Sequence, residues 1–448
     1  MRRPRRLLRH HPRHLRSELP GAAAFVQEYP LIEWITMRRP DFTVLFFIAL
    51  TCCPFVVSAA APDISQLPPE DIRKGVAVLG IGPDFVWAFQ SEKQPVLYVD
   101  GERLGVMKRA GPKGLWTYAS KLRTGTSHSF YYTVEGKRIG GLTDVPAFGP
   151  DSYVQPGVPQ GHLSEKMVHT SKIYPGMKSD YWVYVPAEYN PATPAALMIW
   201  QDGHYHIERN GSPQAPVTGQ PPSRIQNVID NLTHRKQIPV AIYLLIDPGT
   251  ADGKAMRSIQ YDTVSDRYPK FLRDEVLPEI YAQYNVRRDP YNHAIAGNSS
   301  GGICAFNAAW YMPELFGRVL ARIPSFTSIQ WKPGEQDGGN IYPFRVRKEP
   351  KRNIRVWMQD GSEDIEQPHG SWPLQSLQMA NSLKLREYDF HFSFGTGTHN
   401  HAQSNSEMPE ALAWLWRGYD TAKTAQPFEM DAAEKAKPLF RVKVYNRD

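Results

Sequence analysis

AIAGNSSGGICAF, residues 294–306, sets two adjacent serines between glycines at the end of a short apolar run. Within it, Gly297-Asn298-Ser299-Ser300-Gly301 fits G-x-S-x-G, a pattern that is weak by itself and takes its meaning from its surroundings. A short strand candidate, 293–296, precedes it and a segment of helical spacing, 303–311, follows. A sharp strand-to-helix turn would hold the central serine in a strained conformation with its hydroxyl exposed. Glycine on either side would spare the neighbouring backbone a collision. Ser299 is therefore the candidate nucleophile, and the backbone N–H of Ser300 a candidate oxyanion donor. The competing reading, a glycine-rich phosphate cradle, lacks both the lysine of a P-loop and the full G-x-G-x-x-G pattern.

A serine nucleophile needs a base, and the base needs an orienting carboxylate; on a sheet of this kind they follow in the order Ser, acid, His. The strand IRVWMQ runs into DGSEDIE, which offers Asp360, Glu363 and Asp364. The strand YDFHFSF runs into GTGTHNH, which offers His399 and His401. Both groups sit at carboxyl ends of strands, where open parallel sheets place their sites. Spacing leaves all three acids and both histidines open.

Working outward, apolar strands alternate with helical segments: DYWVYVP, AALMIWQDG, PVAIYLLID, HAIAG, NIRVWMQDG and YDFHFSFG. In RYPKFLRDEVLPEIYAQY, residues 267–284, Tyr268, Phe271, Leu272, Val276, Ile280 and Tyr284 recur at steps of three or four and predict one helix face. Apolar strands separated by helices predict a mostly parallel sheet covered on both faces. Upstream, VAVLGIG, FVWAFQ, PVLYVDG, LWTYASKL and HSFYYTVEG predict a small all-β sandwich over 62–150. The Pro- and Gly-rich segment 151–166 reads as a linker. The α/β domain then spans 167–420, and 421–448 is a tail without an assigned role.

The chain of 448 residues is 41% hydrophobic and 12% aromatic, a globular composition. Its formal net charge of +7 is concentrated in residues 1–61, which hold nine Arg, no Lys and four acids, and leave +2 for residues 62–448. That distribution excludes a nucleic-acid-binding surface as the main function. From Met37, two arginines, an apolar stretch from Val44 to Val57 and the small residues Ser58 to Ala61 follow in the order of a secretory signal. The expectation is a start at Met37, cleavage near Ala60 or Ala61, export to the periplasm or beyond, and no stable membrane insertion afterwards. An uncleaved anchor is the alternative. Cys52 and Cys53 would leave with the signal, so Cys304 would be alone and is expected in the core.

These pieces together resemble the esterase D family, and within it the enterochelin (enterobactin) esterase-like branch. The resemblance runs over about residues 165–420 and rests on SDYWVYVPAEY, LMIWQDG, FLRDEVLPEIYAQY, the elbow with AFNAAWYMPELFGRV, and the GTGTH loop. The upstream strands, with FVWAF and PVLYVDG, resemble the immunoglobulin-like or glycogen-binding-like module joined to such esterases. The resemblance implies an α/β-hydrolase fold with a Ser-Asp-His triad and no metal or organic cofactor. It points to Asp364 as the acid and His399 as the base, with Asp360 and Glu363 as rivals for the acid. The second oxyanion donor would come from QDGHYH, as the backbone N–H of Gly203 or His204. Arg257 stands where such esterases often carry an Arg followed closely by a Glu; this chain has Gln260 in place of that acid, so Arg257 reads either as a substrate contact or as a structural ion-pair partner.

The expected substrate is an ester, of a small molecule such as a siderophore or of feruloyl or acetyl groups on polysaccharide. If His399 must be neutral to act, activity should rise with pH through roughly 6 to 8. Three rivals stand beside this reading. The His204–His206 and His399–His401 pairs with Asp364 could ligate a metal. Trp87, Phe89 and Trp116 could make the chain a sugar-binding protein. Acyl transfer to a sugar would use the same triad. Oligomeric state is left open by the sequence.

Overall fold

The computed structural model describes residues 62–210 and 221–441. The expected signal segment and the last seven residues of the tail therefore lie outside the described residues. No helix among the described residues is long and apolar enough to cross a membrane.

The site is carried by an eleven-stranded mixed sheet. Its main strands are β1 (Lys178–Val185), β2 (Ala196–Gln201), β3 (Ala241–Ile246), β4 (His293–Asn298), β5 (Arg318–Arg322), β6 (Arg355–Gly361) and β7 (Asp389–Gly395). They lie in the order β1-β3-β2-β4-β5-β6-β7. β1 runs antiparallel to β3, and every pair from β3 to β7 is parallel. Burial on both faces explains the unbroken apolar runs. Leu197, Ile199, Ile295, Val319 and Val356 enter one core with the helix Ser300–Tyr311, while Met198, Trp200, Ala294, Ala296, Leu320 and Trp357 enter another. The second core is closed by α1 (Ile225–His234) and by the helix Met408–Leu415. The mixed sheet is thus a middle layer between two helical ones, as the sequence predicts.

Two features depart from the sequence reading. β5 is absent from the strands that the sequence predicts: RVLAR is short and begins and ends in arginine. Both arginines are buried by stacking: the Arg318 guanidinium lies 4.6 Å from the ring centroids of Tyr291 and Trp416, and that of Arg322 lies 5.0 Å from Trp200. The helix predicted over 267–284 forms with its apolar face buried, but Leu272–Val276 is wound as a π-turn between two α segments. Pro278, with no N–H to give, stands where α-helical bonding would need one.

Residues 77–147 form two four-stranded antiparallel sheets. One orders Ala77–Ile81, Asp84–Gln90, Leu115–Lys121 and Lys108–Arg109; the other orders Glu102–Val106, Val96–Val99, Thr126–Val134 and Lys137–Ala147. Their inner faces share one apolar core. Trp87 and Phe89 are buried in it, which removes two of the three aromatics that a sugar platform would need; Trp116 is half-buried and donates its Nε1–H to Ser91 O at 2.9 Å. The segment expected as a linker is tied down: Asn231 donates to Asp151 O and Tyr153 O, and Leu163 pairs with Tyr184 of β1. The described part of the tail packs against β7, where Phe440 meets Phe390 and Phe392.

Candidate active site

β4 ends at Asn298, and α2 (Arg257–Tyr261) and α3 (Ser300–Tyr311) flank the turn that follows. Ser299 between β4 and α3 has φ 56° and ψ −122°. This is a conformation that L-residues rarely adopt and that persists only where the surroundings impose it. Its N–H is held by Arg322 O of β5 at 2.9 Å. A Cβ on Gly297 would stand 2.3 Å from Gly301 O, so the first glycine is required by backbone. The second is crowded by side chains instead, Gln201 Cβ at 3.0 Å and Asp202 Oδ2 at 3.1 Å.

The loops after β6 and β7 are zipped together. Ser362 N–H donates to Gly395 O, and Glu363 N–H donates to Gly397 O. A Cβ on Gly361 would lie 2.1 Å from Gly397 O, so the close approach requires glycine there. This zipper sets Asp364 opposite His399. His399 Nδ1 lies 2.6 Å from Asp364 Oδ1, and His399 Nε2 lies 2.8 Å from Ser299 Oγ. With Nδ1–H donating a hydrogen bond to the carboxylate, Nε2 is free to accept the Ser299 proton. Asp364 Oδ1 also accepts from Ile365 N–H at 2.5 Å.

Of the rival acids, Glu363 is exposed. Asp360 is fully buried behind the site, with Oδ1 accepting from Gly361 N–H at 2.8 Å. Burial and the adjacent Asp364 push its carboxyl well above the usual carboxylate range. A neutral Asp360 beside Asp364 keeps a single negative charge facing the imidazole.

The four histidines of the metal reading are engaged by different neighbours. His399 joins Ser299 and Asp364; His204 Nδ1 pairs with Asp247 Oδ1 at 2.8 Å; His206 is buried against Trp200. His401 packs edge-on to Tyr205, and burial and the nearby Arg322 cation hold both His206 and His401 well below the usual imidazole range. No group of three or more His, Cys, Asp or Glu among the described residues is arranged to hold a metal ion. Cys304 is buried in α3 and free.

In the loop after β2 the two candidate oxyanion donors differ. His204 N–H is committed to Asp247 Oδ1 at 2.9 Å, so it is not available, and Gly203 is left. Gly203 N–H and Ser300 N–H have no acceptor among the described residues. Asp202, ahead of Gly203, has φ 55° and is clamped by Arg257, whose Nε and Nη2 donate to Oδ1 and Oδ2 at 2.8 and 2.9 Å. Arg257, expected as a substrate contact or a structural ion-pair partner, is bound in the structure to Asp202 in the loop after β2. Gln260, standing in place of an acid, does not accept from Arg257; its Oε1 accepts Gly249 N–H at 2.6 Å.

Sequence reasoning missed Ser325 and Trp372. Trp372 Nε1–H donates to Ser325 Oγ at 3.1 Å, and Ser325 Oγ lies 3.3 Å from Ser299 Oγ. Because Trp372 can only donate, the Ser325 proton is left for Ser299 Oγ, whose own proton goes to His399. The Trp372 ring also meets the His399 ring edge-on, with centroids 5.6 Å apart. Neither residue lies in a motif, and only the folded chain brings both to the serine.

The family model described as Putative esterase matches residues 174–415, more than half of the chain. Over 139 residues the chain is 30% identical to the iron(III) enterobactin esterase of Escherichia coli (strain K12), an alignment that covers 30% of this chain and 32% of that protein. The chain thus spans about a third of that relative's length. Among solved structures, the enterobactin esterase of Shigella flexneri in the presence of 2,3-di-hydroxy-N-benzoyl-glycine aligns at a TM-score of 0.49 and 17% identity, over 75% of this chain and 93% of that one. A CE1 ferulic acid esterase from the anaerobic fungus Anaeromyces mucronatus aligns at 0.44 and 16%, over 61% and 96%.

Proposed function

This chain belongs to the putative esterase family, and from that premise we propose that it is an exported serine carboxylesterase. The observation that carries the reading is the continuous contact Asp364–His399–Ser299, with the serine on a left-handed turn. Ser299 Oγ attacks the ester carbonyl while His399 Nε2 takes its proton. His399 then returns that proton to the leaving alcohol, and a water activated by His399 releases the acyl group. Asp364 fixes the tautomer and stabilises the imidazolium. Gly203 N–H and Ser300 N–H receive the oxyanion, a contribution of about 3 kcal/mol per donor. No step calls for a metal or an organic cofactor.

Export is supported by the sequence alone, through the order of residues from Met37 to Ala61. For the substrate, the alignment with an iron(III) enterobactin esterase supports a siderophore ester. An exported enzyme would also meet feruloyl and acetyl esters of polysaccharide. The test is hydrolysis of p-nitrophenyl acetate by the purified protein and by Ser299→Ala, both checked for equal thermal stability. Loss in the variant alone supports the reading, and a screen of siderophore, feruloyl and acetyl esters then assigns the substrate. Equal activity in the two removes Ser299 from the mechanism. Product analysis with a sugar present separates hydrolysis from acyl transfer.

A further inference from the structure

The loop that carries His399 is held from outside the esterase segment. Asp144 lies on the strand Lys137–Ala147, ahead of the residues that the family model matches. Its carboxylate accepts Thr398 N–H, with both oxygens at 3.1 Å, and also the Thr398 hydroxyl. Asn400 Nδ2 donates to the same carboxylate at 2.8 Å. The residues immediately before and after His399 are thus both anchored to one side chain more than 250 positions away. The anchor is buried, and its backbone is left-handed at φ 55°, inside a strand. Such a conformation costs free energy and marks a place that the surrounding structure over-determines. Asp144 Oδ1 would also lie 3.3 Å from a Cβ on Gly397, so the carboxylate fills the space against the loop's glycine.

We propose that Asp144 is a positioning residue for His399, so that the N-terminal strands complete the active site. The inference rests on the serine-esterase reading above. His399 touches Ser299 and Asp364 through its ring, while its backbone is set by Thr398 and Asn400. Releasing those two would let the ring drift from the serine. A displacement of about 1 Å at a reacting group costs on the order of a hundred-fold in rate.

The test uses the full chain carrying Asp144→Ala, with Thr398→Val as a near-isosteric second variant that removes only the hydroxyl bond and keeps the fold if Asp144→Ala does not. With p-nitrophenyl acetate, kcat is expected to fall about ten- to a hundred-fold in Asp144→Ala and a few-fold in Thr398→Val, with KM within about two-fold of the parent. A stable variant with kcat within two-fold of the parent overturns the proposal, as does a change confined to KM. The Ser299→Ala protein run alongside reports on the esterase reading separately. Should that reading fail, the low-field proton resonance of the His399 Nδ1–H···Asp364 bond decides the positioning role. Its disappearance in Asp144→Ala supports that role, and its persistence overturns it.

Discussion

Replacing Arg257 with glutamine separates two roles that a sequence cannot tell apart, contact with the substrate and support of the oxyanion loop. The Asp202 side chain is almost fully buried, and its two oxygens each take one guanidinium N–H, at 2.8 and 2.9 Å. Removing one partner of a fully buried pair costs about 3–5 kcal/mol, because the other charge is left without a counter-ion. The Arg257 side chain is 37% exposed, so solvent screens the pair, and about 2–3 kcal/mol is expected here. The orphaned Asp202 would be drawn towards water, and Gly203 would move with it. Loss of one oxyanion donor costs about a hundred- to a thousand-fold in kcat, and a partial displacement of Gly203 should cost at least ~10-fold. The assay is kcat and KM for p-nitrophenyl acetate together with the denaturant midpoint of unfolding. Adding Asp202→Asn should recover most of the stability but not the rate, since it removes the orphaned charge without rebuilding the clamp. A rise in KM with kcat and stability unchanged would refute this reasoning and return Arg257 to the substrate.

Three further outcomes are expected. Ser325→Ala leaves the buried Trp372 Nε1–H without its acceptor, which should cost about 1–3 kcal/mol in denaturant unfolding, with a few-fold fall in kcat from the lost donor to Ser299; unchanged values for both would show that the Trp372–Ser325–Ser299 chain is idle. Gly297→Ala places a methyl group 2.3 Å from Gly301 O, so the turn must shift, at about 1–3 kcal/mol and with most of the activity lost; a fully active variant would mean that the turn is more pliant than its geometry implies. Glu407 is buried, accepts Ser393 Oγ–H at 2.6 Å, and burial pushes its carboxyl up to about 8 from an ordinary 4.5. Between those pH values the folded protein holds a proton that the unfolded chain does not, so this contribution to stability is lost as pH rises from about 4.5 to about 8. Glu407→Gln should therefore stabilise the protein relative to the parent above pH 8 and much less near pH 5, read as the difference in thermal midpoints.

Much of the architecture was legible because it is written in local chemistry. Strands buried on both faces must be apolar throughout, which is why ALMIWQ and AIYLLI stand out. G-x-S-x-G is readable because a strained turn admits few residue types. The acid and base candidates could be found because strand ends in a parallel sheet are where loops meet. Other features depend on contacts that no local pattern encodes. RVLAR looks polar at both ends, yet Arg318 and Arg322 are buried by stacking on rings contributed from distant parts of the chain.

The amino-acid sequence by itself determined the layered α/β plan, the serine turn and a short list of partners for the serine, since each follows from periodicity or from the steric needs of a few adjacent residues. Only the tertiary structure shows which of Asp360, Glu363 and Asp364 meets the His399 ring, because one residue of loop register separates a carboxylate at the imidazole from one in solvent and one sealed behind it. It also bonded His204 N–H to Asp247, tied Arg257 to Asp202, and brought Ser325, Trp372 and Asp144 to the site. Hydrogen bonds between residues tens to hundreds of positions apart leave no periodic trace in the chain. They exist only once the sheet has closed and carried their partners within 3 Å or so of one another.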